Sequence, residues 1–225
     1  MKTTLYAALL LLALPLCSAQ AVVDRMVAVV NKHVVLQSEV EQEVRIDFLL
    51  RGRPVEQITY AETAAMLDIL IDQALLQQQI VPTSMLDPEP EELAAQLAKL
   101  RADIPGAQED ARWRSLLTGY GLDQHDLEIH IATQVRILRF VDLRFRRLAR
   151  VDREDVRHYY DETLLLELKR QNQPAPPLDQ VYGQIERILT EKQINDSLAT
   201  WMSGLRGQAN IQKLTVVSAP TEPKP

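Results

Sequence analysis

The chain has few cysteine, glycine and aromatic residues. Its single cysteine, Cys17, lies close to the N-terminus, and aromatic residues make up 5% of the sequence. No glycine-rich phosphate loop and no serine in a nucleophile-elbow pattern occurs, so no motif indicates a nucleotide enzyme or a hydrolase. A site assembled from distant residues, as catalytic triads often are, stays open. Because no such motif is present, we predict no catalytic residue, no cofactor and no enzymatic activity.

Long apolar runs are also lacking, apart from one near the N-terminus. Lys2 is followed by an apolar run over residues 5–16 and by small residues at Ala19 and Ala21. This order is typical of a secretory signal peptide, and the run is shorter than the roughly 20 residues that span a bilayer. We predict a signal peptide over residues 1–21, cleaved after Ala21, and therefore an exported protein without a stable membrane anchor.

The predicted signal peptide contains Cys17, which leaves the mature chain without cysteine. No disulfide can then form in an oxidising compartment, so stability has to come from packing. A lipoprotein is the alternative, because Leu14 stands three residues before Cys17. Leu16 argues against it, since the lipoprotein pattern requires a small residue there.

The charge of the chain is acidic overall and basic in one region. The formal net charge is −6, or −7 without Lys2. Nucleic acid is therefore not expected as a partner. One basic region is an exception, and for it we favour a solvated helix face, balanced by nearby acids, over a phosphate-binding surface. This exception is an arginine series: Arg136, Arg139, Arg144, Arg146, Arg147, Arg150, Arg153 and Arg157.

The apolar periodicity predicts a mainly α fold with a small antiparallel β-sheet. Residues 25–30 and 33–36 form two β-branched runs joined by Asn31 and Lys32, which predicts a hairpin. A strand over residues 209–217 is expected to join it and bring the two ends of the mature chain together. Capping residues and breakers predict helices over 38–51, 60–81, 88–103, 107–118, 124–150, from 153 onward, and 178–205. The predicted caps are Ser38, Thr59, Asp87, Asp123 and Asp152, and the chain breaks at Pro54 and at Pro105–Gly106.

The helix predicted over residues 124–150 carries one apolar stripe at intervals of three and four residues, which indicates a single buried face. Two histidines on this helix, His125 and His130, are five residues apart and project from different faces. They do not have the spacing of a metal pair, and no metal site is predicted. The predicted stripe consists of Leu127, Ile131, Val135, Leu138, Val141, Phe145 and Leu148.

Several segments resemble, in the same order, the periplasmic chaperones of the SurA and parvulin-type foldase family. They are residues 22–40, 70–78, 116–122, 140–144, 151–161 and 181–201. The resemblance implies a SurA N-like chaperone domain over residues 22–217, followed by a disordered tail over 218–225. Family members of this kind hold unfolded outer-membrane protein segments in a cleft beside a helical body.

The family's catalytic prolyl isomerase domain is normally inserted where this chain has only the twenty residues 161–180. This segment contains no histidine and no cysteine, so the isomerase site does not carry over. The resemblance thus implies a non-catalytic chaperone of the bacterial periplasm whose partners are unfolded secreted or outer-membrane polypeptides.

Six apolar side chains are candidates for a peptide-binding wall, because aromatic and aliphatic surfaces give contact area without selecting one sequence. Ordinary core packing is the alternative for each of them. Two other functions also stay open. One is a structural adaptor that binds a folded envelope partner through the arginine-rich helix, and the other is an isomerase-related protein that acts with a separate catalytic partner. The six candidates are Trp113, Leu116, Leu117, Tyr120, Tyr159 and Tyr160.

Overall fold

A computed structural model of the protein describes residues 24–81 and 84–214. The predicted signal peptide over 1–21 and the predicted tail over 218–225 lie outside these residues, and so does Cys17. The described part confirms the predicted fold class, a mainly α fold with a small three-stranded antiparallel sheet.

The sheet joins the two ends of the described chain. Strand β1 (Met26–Val30) pairs with β2 (His33–Leu36) through a two-residue turn, in which Asn31 has a positive φ of 58°. Strand β3 (Ile211–Lys213) pairs antiparallel with the other edge of β1, so the strand order is β2-β1-β3. The predicted hairpin and its pairing with a C-terminal strand are both confirmed.

The helices follow the predicted order, with shifts at their ends. A π-helical segment (Tyr160–Leu164) joins α6 to α7, and short 3₁₀ turns lie at Val55–Gln57 and Ser84–Leu86. The α-helices are α1 (Gln37–Leu50), α2 (Tyr60–Gln77), α3 (Pro90–Asp103), α4 (Asp110–Gly119), α5 (Gln124–Phe145), α6 (Arg153–Tyr159), α7 (Leu165–Arg170) and α8 (Leu178–Gln208).

Three helix starts are capped as the sequence predicts. The side chains of Thr59, Asp123 and Asp152 each accept a hydrogen bond from a backbone N–H in the first turn of the following helix. Each helix returns a carboxylate to the cap residue, as Glu62 does to the backbone N–H of Thr59 at 2.9 Å. Reciprocal bonds of this kind satisfy donors that a helix start otherwise leaves free.

Two of the predicted helix caps are wrong. Helix α1 begins before Ser38, and the carboxylate of Glu39 accepts from the backbone N–H of Leu36 at 2.8 Å. Ser38 donates its hydroxyl to Asp24 instead. Helix α3 begins at Pro90, two residues later than expected, and the carboxylate of Asp87 binds the Arg136 side chain at 2.6 Å. In both places a contact distant in sequence replaces the predicted cap.

The core consists of three apolar clusters that share helices. The first packs the sheet against α1 and α2, with Val30, Phe48 and Ile71 among its buried residues. The second joins α1 to α3, α4 and α5 around Trp113 and Leu127. The third joins α2, α5 and α8 through Leu76, Ile137, Val141, Phe145 and Ile194. Since α5 belongs to the second and third clusters, it connects these two parts of the core.

The predicted stripe of α5 is only partly correct. Leu127, Ile131, Val141 and Phe145 are buried, but 65% of Leu138 is exposed and Ile137 is buried in its place. Leu148 lies beyond the helix end at Phe145 and is 69% exposed. Neighbouring apolar residues fit the same spacing, and the packing of α8 against α5 decides which of them is buried.

The pH dependence of stability tests whether Glu62 contributes to the predicted cap of α2. The Thr59 backbone N–H, followed by Arg53, lowers the pKa of this carboxylate below its ordinary value. A lowered pKa means stability that is present above the unfolded-state pKa and is lost as pH falls through the folded-state pKa. We expect Glu62→Gln to lower the urea midpoint at neutral pH and to change it little at strongly acidic pH. An equal loss at both pH values in urea titrations would contradict this role.

Candidate functional site

One concave surface is an open groove between α4 and the 3₁₀ turn after α1. Its volume is about 470 Å³. We call it the α4 groove. Its apolar wall contains Pro54, Val55, Pro105, Leu116 and Tyr120, and its polar groups come from Glu56, Arg112 and Ser115. A mixed lining of this kind can contact both the side chains and the backbone of an extended peptide.

Tyr120 connects the two sides of the groove. Its hydroxyl donates to the backbone carbonyl of Arg53 at 2.8 Å, which ties the end of α4 to the segment before the 3₁₀ turn. Burial, and secondarily the carboxylate of Glu56, raises the pKa of the Tyr120 hydroxyl. The phenol therefore stays neutral at physiological pH and serves as a fixed hydrogen-bond donor in the wall.

The opposite end of the groove is formed by a tight turn at Pro105 and Gly106. Gly106 has φ +80°, a conformation that side-chain-bearing residues rarely adopt. A Cβ at this position would lie 3.6 Å from Cζ of Arg112, so the guanidinium rests against the turn. The side chain of Arg112 forms no ion pair or hydrogen bond with any residue in 24–81 or 84–214, which leaves its charge available to a ligand.

Only two of the six predicted peptide-binding residues line the α4 groove, namely Leu116 and Tyr120. Trp113 is 2% exposed and Leu117 is also buried, and both belong to the second core cluster. For these two residues the structure supports the alternative of core packing, because α4 turns its other face to the groove. The indole N–H of Trp113 finds no hydrogen-bond partner among the described residues, although a buried tryptophan usually has one.

The other two predicted residues, Tyr159 and Tyr160, lie at the junction of α6 and the π-helical segment. The Tyr160 hydroxyl donates to the carbonyl of Pro176 at 2.7 Å and thus holds the linker before α8. Both side chains are half-buried, and no residue from 157 to 184 is buried. A peptide-binding role for these tyrosines stays a prediction at a surface separate from the α4 groove.

Sequence reasoning missed the polar members of the groove. Pro54 and the Pro105–Gly106 pair indicate breaks between helices, and neither Glu56 nor Arg112 belongs to a sequence motif. No local signal connects positions about fifty residues apart along the chain. Unpaired charges beside predicted turns were the only available indication, and this signal is weak.

A second, smaller groove of about 350 Å³ runs between β2 and helices α1, α2 and α5. His33, Glu39 and Glu43 are among its polar residues, and Leu70 and Ile129 are among its apolar ones. Two of the carboxylates already have partners, because Glu39 caps α1 and Glu43 binds His130. This groove is therefore the weaker candidate for ligand binding.

The two histidines of α5 each contact a different carboxylate. Nδ1 of His130 lies 2.8 Å from Glu43, and Nδ1 of His125 lies 3.8 Å from Glu128. Within the described ranges no group of three or more histidine, cysteine or acidic side chains is placed to hold a metal ion. Among the same residues, no helix combines the length and apolar character needed to cross a membrane.

Half of the arginine series is engaged by other side chains. Arg136 pairs with Asp87, Arg139 with Glu92, and Arg146 with both Asp142 and Glu191. Arg144 stacks on the ring of Trp201 with 4.3 Å between its Cζ and the ring centroid. The predicted balance by nearby acids is confirmed for three of these four. The exposed side chains of Arg147, Arg150, Arg153 and Arg157 have no acidic partner in the part of the chain that the structure describes.

Comparison with known proteins gives no relative from which function can be transferred: no protein-family model matches the chain, and neither does any curated protein.

Proposed function

We propose that the protein is a non-catalytic chaperone of the bacterial periplasm that binds extended segments of unfolded secreted or outer-membrane polypeptides. The α4 groove is the observation that carries this proposal. It combines a half-apolar wall with polar groups that have no partner in the described protein, and it is open along one side. An open groove admits a chain that continues beyond it in both directions, which an enclosed pocket cannot do.

The chemistry of the groove suits many different client sequences. Proline, leucine and tyrosine surfaces give apolar contact area to whichever side chain the client presents. The Ser115 hydroxyl and the Arg112 guanidinium are available to peptide carbonyl groups, which every client has. Such contacts are individually weak, so a client leaves without nucleotide hydrolysis. This agrees with a function of holding rather than of chemical conversion.

The connection before α8 also supports a non-catalytic role. Residues 161–180, where the resembling family has its isomerase domain, form part of the π-helical segment, α7, a short linker and the first residues of α8. The segment contains no buried residue and therefore no core of its own. The resemblance and this short connection together favour a chaperone frame without an isomerase domain.

A structural adaptor is the second candidate, favoured by the four arginines without an acidic partner near the exposed Leu148. Binding to one folded envelope protein that weakens steeply with salt would identify it. An isomerase-related protein acting with a separate catalytic partner is the remaining alternative. A prolyl-peptide isomerisation assay, with and without envelope extract, distinguishes it from a chaperone.

The proposal is tested by diluting a urea-denatured outer-membrane β-barrel protein into buffer with stoichiometric amounts of the mature chain. We expect the mature chain to suppress light scattering, whereas an inert acidic protein does not. Ser115→Trp places a large ring in the α4 groove from an exposed helix position. We expect this variant to bind the client about tenfold more weakly, equivalent to roughly 1.4 kcal/mol.

Thr118→Trp is the matched control, because Thr118 is exposed on the same helix and does not line the groove. Urea unfolding of both variants confirms that folding is retained. If the unaltered chain neither suppresses aggregation nor binds the client, the chaperone proposal is wrong. If Ser115→Trp and Thr118→Trp behave alike while the unaltered chain holds the client, the α4 groove is not the binding site.

A further inference from the structure

The α4 groove carries two opposite charges that do not pair with each other. Arg112 lies against the Pro105–Gly106 turn, whereas Glu56 follows Pro54 and Val55 and acts on the hydroxyl of Tyr120. No ion pair within 4.0 Å joins Arg112 to any acid of the described residues, although Glu56 lines the same groove. The positive charge comes from α4 and the negative charge from the 3₁₀ turn after α1, so the two belong to different walls of the groove.

The separation of these two charges determines where in the groove a charged group of a ligand can bind. An exposed ion pair contributes little by itself, but a guanidinium beside an apolar wall gains from a carboxylate that lies parallel to its fork of N–H donors. The Ser115 hydroxyl, also in the lining, is a further donor for the same oxygen atoms. A carboxylate next to Glu56 would instead be repelled, so only one end of the groove accepts an anion.

We propose that the α4 groove selects polypeptide segments in which a carboxylate lies directly beside an apolar side chain, with Arg112 binding the carboxylate and Leu116 and Tyr120 contacting the apolar group. This inference rests on the proposed function, since it specifies which client segments the groove prefers. The carboxylate comes either from an aspartate or glutamate side chain or from the C-terminus of the client. Glu56 sets the direction of the bound chain by keeping the carboxylate at the Arg112 end.

Fluorescence anisotropy with three labelled peptides tests the preference. Each has serine and threonine flanks and a valine–phenylalanine–valine centre. The first has an aspartate after the centre and an amidated end, the second has asparagine in that place, and the third ends after the centre with a free carboxylate. We expect the aspartate peptide to bind about fivefold more tightly than the asparagine peptide at low salt, with the difference shrinking as salt is added.

The variants assign the preference to one side chain. We expect Arg112→Gln to bind the aspartate and asparagine peptides equally. Arg114→Gln should keep the preference, because Arg114 is an exposed arginine of the same helix that does not line the groove. Tighter binding of the third peptide than of the asparagine peptide assigns recognition to a chain terminus as well as to a side chain.

Three results would overturn the inference in different ways. Equal binding of all three peptides by the unaltered chain contradicts the carboxylate preference and leaves the chaperone proposal intact. Binding of none of them, together with failure to suppress aggregation of the β-barrel protein, contradicts both. A preference that survives in Arg112→Gln and disappears in Arg114→Gln would show that Arg112 is not the carboxylate-binding residue.

Discussion

Deletion of residues 209–225 should lower the free energy of unfolding by about 3–5 kcal/mol, because it removes the strand that closes the sheet. β3 occupies one edge of β1, and its Ile211 packs on the first core cluster. The turn between β1 and β2 also depends on it, since Asn31 donates its backbone N–H to the carbonyl of Asn210 at 2.8 Å and accepts from the Asn210 N–H at 2.9 Å.

The expected loss is larger than the size of β3 suggests. Without β3, the central strand β1 becomes an edge strand, and its buried residues Val27 and Val30 lose cover on one side. A two-stranded hairpin is marginal in water, so the sheet would depend on the helices alone. The deletion therefore affects the N-terminal end of the described chain through residues almost two hundred positions away.

Deletion of residues 215–225 alone is the matched control for this experiment. It ends the chain at Leu214, whose backbone N–H still donates to the carbonyl of Val27 at 2.9 Å. Urea unfolding of the two truncated chains and of the chain with its C-terminus intact, followed by circular dichroism, measures the difference. Equal stability of the two truncated chains would show that β3 contributes nothing to the closure of the fold.

Replacement of Trp201 by alanine should destabilise the protein by about 3 kcal/mol, the lower end of the range for a large aromatic core residue. Trp201 belongs to α8 and contacts α5 through Phe140 and Phe145, with ring centroids 5.9 Å and 5.6 Å away. The guanidinium of Arg144 covers the indole ring. Part of the side chain remains exposed, which keeps the expected loss below that of a fully buried tryptophan.

Trp201→Phe is the control, since it retains a ring between α5 and α8 while reducing its size. We expect it to lose less than half as much stability as Trp201→Ala. The chain has only two tryptophans, so the fluorescence of Trp113 reports unfolding of the second cluster in both variants. If Trp201→Ala unfolds at the same urea concentration as the unaltered chain, the third cluster does not hold α8 to the body.

The local features of this fold were predictable because their signals lie within a few residues of each other. Thr59 and Glu62 are one helical turn apart, so the pair specifies its own cap wherever the helix lies. Asn31 tolerates positive φ regardless of its surroundings, and the turn follows from that tolerance. Caps at Ser38 and Asp87 were predicted on the same grounds, but Asp24 and Arg136 bind those side chains from elsewhere in the fold.

The candidate site was less predictable than the fold. Leu116 and Tyr120 were identified by their apolar character, but Trp113 and Leu117, on the same short helix, have a similar character and are buried. Periodicity shows that α4 has two faces without showing which one is covered. The neighbouring helices α3 and α5 decide this by contributing Leu97 and Leu127 to the cluster around Trp113.

The order of residues is thus sufficient for the elements of this protein: its hairpin, most of its helix caps, its mainly helical character and its short connection before α8. Each of these depends on interactions over a few residues. The α4 groove and its two unpaired charges arise when the turn at Pro54 and the turn at Pro105 and Gly106 come to lie beside α4. That proximity follows from burial of apolar faces distant in sequence, and burial depends on the packing of the whole chain.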